Sequence, residues 1–261
     1  MCRSKIFLAT SALGFCMATH ASIANADVFS FQNLKPTVVT ASFGPGWTTS
    51  GEQQTGYLLP SIFNTYVPYH NTAGFLEGEI FLGRQYKLHD WVDGQFGAEV
   101  AVTNSVMLGG DIWQQGGSQF NNLYYGYRVN HTHVAFKGKL LGRPNEALRP
   151  YIGASLGVGF NRAHNYSSRA KTLPPDQFGQ QVNVFPFPNY TDKTQTAFSY
   201  TAIAGIQQQL TKEWAAGVGY EFADWGRSQL AAAPGQSVGT GLSLAHLYTN
   251  GVQVNVTYTI L

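Results

Sequence analysis

The residues that could carry chemistry are few. Gly153-Ala154-Ser155-Leu156-Gly157 spells G-x-S-x-G, the pattern of a nucleophile elbow, in which a strained strand-to-helix turn exposes a serine hydroxyl. Here the five residues sit inside a run of two-residue alternation with no helix to follow, so Ser155 is expected to be a small side chain on a strand face. His131-Thr132-His133 puts two imidazoles on one side of a strand, a spacing that could chelate a transition metal. No carboxylate or thiol stands nearby to complete the set, and the pair is expected as polar groups near an outer rim. His131, His133, His164, Ser167 and Asp224 supply the side-chain types of a hydrolytic centre, but no spacing ties them together. No glycine loop for phosphate is present, and no catalytic, cofactor-binding or metal site is assigned.

Alternation is what organises the chain. Between Tyr151 and Arg162 one face carries Ile152, Ala154, Leu156, Val158 and Phe160, the other Tyr151, Gly153, Ser155, Gly157, Gly159 and Asn161. Trp214, Ala216, Val218, Tyr220 and Phe222 stand against Ala215, Gly217, Gly219 and Glu221, and Val252, Val254, Val256, Tyr258 and Ile260 against Gln253, Asn255, Thr257 and Thr259. This period belongs to strands with one apolar and one polar face. Eight such segments are read, at 37–44, 72–88, 92–107, 121–141, 149–163, 196–210, 213–226 and 246–260. Their connections alternate between long (45–71, 108–120, 164–195, 227–245) and short (89–91, 142–148, 211–212), the rhythm of a membrane barrel with tight turns at one end and loops at the other.

The composition agrees. Of 261 residues 44% are hydrophobic, 14% aromatic and 11% charged, whereas a soluble domain has roughly 25% charged residues to cover its surface. The aromatic content excludes disorder, and the lack of any run of about 18 apolar residues excludes a helical membrane protein. Arg3 and Lys5, the apolar run Ile6–Ala18 and the small residues Ala24-Asn25-Ala26 read as a secretory signal peptide over 1–26, leaving 27–261 as one barrel domain. Phe15 is too bulky for lipoprotein processing at Cys16. Cys2 and Cys16 would leave with the leader, so no disulfide is expected. Arg3 and Lys5 also hold the whole formal surplus of +2, and a neutral remainder has no electrostatic footing for nucleic acid.

Polarity decides which face points where. The polar face is mostly Gly, Ser, Thr, Gln and Asn, a poor coat for a soluble barrel but a good filling for a narrow lumen, so the apolar face is expected to meet lipid. Aromatic girdles fit this reading: Tyr86, Trp91 and Trp214 near the short turns, and Phe43, Trp47, Tyr124, Phe160, Trp225 and Tyr248 near the long loops. The fold expected is all-β, an eight-stranded antiparallel transmembrane β-barrel with short periplasmic turns and four long extracellular loops.

On these features the chain resembles the eight-stranded outer-membrane β-barrels of Gram-negative bacteria, such as the OmpA transmembrane domain and the opacity-type surface proteins. Gly217-Val218-Gly219-Tyr220-Glu221-Phe222 and Val252–Ile260 look most like strands of that family. The resemblance implies export to the outer membrane and insertion by the barrel-assembly machinery. In the family a terminal Phe is the insertion signal, whereas Leu261 stands here, out of phase with Tyr258 and Ile260.

If the turn between Leu88 and Val92 sets the register, Lys87 opposes Asp93, Gln85 opposes Gln95 and Glu79 lies near Ala101. Glu77, Glu79, Asp93, Glu99 and Glu221 then face inward with Lys137 and Lys139. Unpaired buried acids cost several kcal/mol each, so an ion-pair network is expected to plug the lumen. Tyr125, Tyr127 and Val129 carry apolar groups at the parity of Lys137, which calls for a bulge above Thr132. Segment 45–71, with Trp47, Tyr57, Phe63, Tyr66, Tyr69 and one acid, Glu52, suggests protein contact. Arg162, Arg169 and Lys171 could neutralise lipopolysaccharide phosphates. The expected function is a monomeric, non-enzymatic outer-membrane barrel presenting surface loops for envelope integrity or attachment. A narrow porin-like channel is the alternative, and a lipid A-modifying enzyme stands behind it. Expected partners are outer-membrane lipids and lipopolysaccharide, the assembly machinery and a protein partner for the loops; no cofactor is expected.

Overall fold

The computed structural model describes residues 36–142, 146–171 and 188–260. The expected leader, both cysteines, most of the Pro174–Pro188 stretch and Leu261 lie outside the described residues. In chain order the strands are β1 (Thr37–Thr48), β2 (Gln54–Leu59), β3 (Ile62–Pro68), β4 (Ala73–His89), β5 (Val92–Thr103), β6 (Val106–Gln114), β7 (Asn121–Gly142), β8 (Leu148–Ala170), β9 (Lys193–Gln209), β10 (Trp214–Asp224), β11 (Ser228–Gln229), β12 (Ser243–Leu244) and β13 (Tyr248–Ile260).

Eight of them close on themselves. The antiparallel pairings run β1, β4, β5, β7, β8, β9, β10, β13 and back to β1. Closure leaves no open edge in the ring, the condition for sheet in hydrocarbon. The first hairpin has the register its turn dictates: Lys87 pairs with Asp93, Gln85 with Gln95 and Glu79 with Ala101. Leu82, Val100, Phe136, Leu156, Phe198 and Val254 are exposed on the outside, while Glu79, Glu99, Lys137, Ser155 and Asn255 are buried on the inside. Trp91, Trp214 and Leu88 ring the short-turn end, and Phe43, Phe160 and Tyr248 the other.

Above that belt the sheet continues on one side only, and here the structure corrects the expected loops. Residues 45–71 contain the β2–β3 hairpin and 108–120 contain most of β6. β3 pairs with β6, and β6 with the upper half of β7, in a wall ordered β2, β3, β6, β7 that rises from the ring. β8 also climbs alongside β7 as far as Ala170. The wall's inner face is apolar: Tyr66, Val106, Leu108, Ile112, Leu123, Tyr125, Tyr127 and Val129 are buried. Against it packs the last connection through Trp225, Leu230, Leu242, Leu244 and Leu247, in one cluster. Tyr66 is therefore wholly buried rather than presented to a partner.

The bulge expected in β7 is absent from Leu123 to Leu141, although the register against β6 shifts at the strand's first residues, where Ile112 pairs with Leu123 but Trp113 with Asn121. Odd-numbered residues of β7 face inward from Leu123 to Leu141. What changes at about His131 is the outer face, apolar below at Val134, Phe136 and Leu140 and charged above at Arg128, while the inner face switches from polar to apolar without a phase change. The irregularity falls instead in β8: Gly126 pairs with Ser167 but Arg128 with His164. The extra residue there includes Asn165 at φ 54°, a left-handed conformation that Asn tolerates. Trp225, expected in the outer girdle, points inward and is 1% exposed.

Candidate functional site

The inward-facing charges form one network. Lys137 Nζ lies 2.6 Å from Glu79 Oε2 and 2.9 Å from Glu99 Oε2. Gln253 donates to Glu221 at 3.1 Å. Glu77 and Glu221 are buried on the same inner face, so the lumen holds these four glutamates with Lys137 and Lys139. Lys139 donates to Gln207 at 2.6 Å and its ammonium sits 4.0 Å over the Tyr151 ring. Near the short turns Arg149 donates to Asp93 at 2.6 Å and Gln85 does so at 3.2 Å. Every charge assigned to the lumen is there, but its partners were not all foreseen. Asp93 pairs with Arg149, whereas Lys87, its ladder neighbour, reaches out to Asp90 at 2.8 Å. Arg149 shares the parity of Tyr151 and Ser155, which is the signal that could have found it.

One part of this network has the order of a hydrolytic triad. His133 shares a hydrogen bond with Ser199 through Nδ1, and its Nε2 is 3.5 Å from Glu99 Oε1. Carboxylate, imidazole and hydroxyl are the parts such chemistry needs, but Ser199 has no exposed surface. A void of about 20 Å³ lies beside Lys137, bordered by Ser42, Glu79, Lys139 and Asn255, and does not reach Ser199 or His133. That holds about one water molecule; no acyl substrate fits. Ser155, the centre of the G-x-S-x-G motif, lies in uninterrupted β8 and shares a 2.8 Å hydrogen bond with Thr201.

A lid lies over the network. The Trp225 ring stacks on His131 with centroids 4.6 Å apart and planes 3° from parallel, and it meets the Phe75 ring at 4.8 Å. Asn161 bonds His131 Nδ1 at 2.7 Å and donates to the Trp225 and Arg227 carbonyls at 2.7 and 2.9 Å. Asp224 accepts from the Gly226 amide at 2.8 Å and pairs with His246 at 2.7 Å. The lid is thus fastened to the wall by hydrogen bonds as well as by apolar packing.

The histidines are not at a rim. Both are 2% exposed, sealed beneath this lid. Among the described residues no three His, Cys, Asp or Glu side chains come together as metal ligands. The five hydrolase candidates are also dispersed. His131 and His133 point inward, Asp224 belongs to the lid, His164 bonds Asn130, and Ser167 is exposed on β8.

The architecture is that of a closed eight-stranded antiparallel β-barrel with an apolar outer face and a polar inner one. No family model matches the sequence, and no curated protein sequence matches it. Solved structures do resemble it. The outer membrane protease OmpT from Escherichia coli is 9% identical, with 90% of this chain and 99% of that chain covered and a TM-score of 0.45. Neisserial surface protein A is 11% identical over 86% of this chain and 97% of that one, TM-score 0.42. The outer membrane protein OprG from Pseudomonas aeruginosa is 10% identical over 87% and 96%, TM-score 0.42. The description of the barrel rests on its own pairings and on the polarity of its two faces.

Proposed function

We propose that this chain is exported by its leader, inserts in the outer membrane of a Gram-negative bacterium, and acts there as a sealed, non-enzymatic barrel that holds a folded platform at the cell surface. The platform serves envelope integrity or attachment; mechanically, the closed ring fixes its base and the wall with its lid gives it shape. The observation that carries this reading is the doubly blocked interior. A hydrogen-bonded ion network fills the lumen around Lys137, and an apolar cluster around Trp225 closes the mouth. A passage for ions needs a continuous water column, and the void at the network holds about one water.

Recording from single molecules in planar bilayers tests it. The expected result is a baseline without reproducible conductance steps. Steps of constant size would replace this proposal with the narrow-channel alternative.

A further inference from the structure

We propose that the outer face of the wall binds the phosphorylated sugar headgroup of an outer-leaflet glycolipid, in a groove between Arg128 and Arg169. The groove has a volume of about 950 Å³ and runs over β6, β7 and β8 beside the β3–β4 connection. Its floor is made by two glycines that face each other across the ladder, Gly109 and Gly126. Side chains there would fill it: a Cβ on Gly126 would come within 3.3 Å of Met107 Cε.

Charge and height argue for the occupant. Arg128 and Arg169 are both exposed, and among the described residues neither has a carboxylate partner. The other cations of this face are already engaged, Lys171 with Asp111 at 2.8 Å and Arg162 with Asp192 at 3.1 Å. Arg169 is held by stacking, its guanidinium 5.2 Å from the Tyr124 ring centre, which leaves the fork free to grip a phosphate. Arg128 stands four residues up β7 from Thr132, the ladder partner of lipid-facing Val102. At ~3.3 Å per residue and a strand tilt near 45°, that is about 10 Å above the belt. Beside Arg128 on the neighbouring strand stands its ladder partner Met107, 61% exposed. Apolar Met107 beside Arg128, the second cation Arg169 four rungs further up at Tyr124, and the hydroxyls of Ser105, Ser167 and Ser168 on the walls match a phosphorylated sugar that carries acyl chains. Free phosphate would use only the cations.

The inference rests on the outer-membrane reading, and the test separates the two. Purified full-length protein in detergent is titrated with rough-type lipopolysaccharide, with the same material after dephosphorylation, and with inorganic phosphate, and adducts are counted by native mass spectrometry. Binding of the phosphorylated glycolipid is expected to be at least tenfold tighter than in the other two arms. Arg128→Ala with Arg169→Ala should remove that advantage, and Arg128→Lys with Arg169→Lys should keep part of it. Gly126→Val should weaken binding with both cations in place; circular dichroism verifies folding of each variant. Equal binding of the dephosphorylated glycolipid, or an unaffected Arg128/Arg169 double alanine variant, overturns the proposal. Inorganic phosphate binding as tightly as the glycolipid overturns the lipid as the occupant. Fractionation of wild-type cells reads the membrane placement independently, since a chain found in the aqueous fraction refutes that reading whatever the titration shows.

Discussion

Lys137 and Glu79 meet at 2.6 Å inside the barrel although 58 residues separate them in sequence and β5 lies between their strands. Neither side chain is more than 7% exposed, and Glu99 meets the same ammonium at 2.9 Å, so one buried cation serves carboxylates from two strands.

Removing the shared counter-ion should cost far more than removing a surplus acid. Lys137→Met leaves Glu79 and Glu99 without their counter-ion and is expected to destabilise the barrel by about 3–5 kcal/mol. Glu77 makes no ion pair among the described residues and adds to an excess of acid, so Glu77→Gln should be neutral or stabilising. Urea titration of both variants refolded in lipid vesicles measures this; a Lys137→Met variant as stable as wild type would show that the network is not held by that ammonium.

The two blocks in the interior should be separable. Trp225→Ala deletes the ring that covers His131 and touches Phe75, at a cost of about 3–5 kcal/mol. The ion network below remains, so this variant should still pass no current in a planar bilayer. Conductance appearing with Trp225→Ala alone would place the whole seal in the lid.

Ser199 should be dispensable for chemistry. Ser199→Ala breaks the hydrogen bond to His133 but leaves the lipid A mass spectrum of expressing cells the same as with wild type. A spectrum that differs between the two would mean that a substrate reaches the Glu99–His133–Ser199 array.

The wall should come loose only in acid. Partial burial acts to raise the Asp111 carboxyl, but hydrogen bonds from Lys171, Tyr69 and Asn121 outweigh it and hold the group below its ordinary value. A lowered folded value means the ionised form is the stabilised one. Its contribution is complete above the unfolded value near ~3.9 and is lost as pH falls through the folded value. Hydrogen exchange at the Lys171 amide, which bonds the Asn122 carbonyl at 2.8 Å, should therefore stay protected down to about pH 4 once corrected for intrinsic rates. Tyr69→Phe removes one donor and should move the loss of protection to higher pH; no movement would remove Tyr69 from the account.

Orientation can be read with single cysteines, because both native ones, Cys2 and Cys16, precede residue 27. Leu59→Cys, on the β2–β3 hairpin, should react with a membrane-impermeant maleimide on intact cells, and Asp90→Cys, in the first short turn, should react only after the outer membrane is opened. The reverse pattern would invert the topology.

The local pattern alone determined the ring. Side chains alternate with period two along a strand, so lipid on one side and a narrow lumen on the other leave their mark on every pair of neighbours, and Glu77, Glu79, Asp93, Glu99, Lys137, Lys139 and Glu221 could all be placed inward by parity. Even the pairing of Gln85 with Gln95 was legible, because a short turn ties the register of its two strands. The upper storey was not. Tyr66, Leu108 and Ile112 read as loop residues, since apolar side chains beyond the belt have no lipid to explain them until the last connection, with Trp225 and Leu247, is seen packing against them. Partner choice was equally hidden: Lys137 with Glu79, Arg149 with Asp93 and Ser199 with His133 each reach over one intervening strand of the ring, between residues 58, 56 and 66 apart in the chain. Parity says that a side chain points inward. Only closure of the ring, with its stagger and diameter, decides which other side chain it meets there.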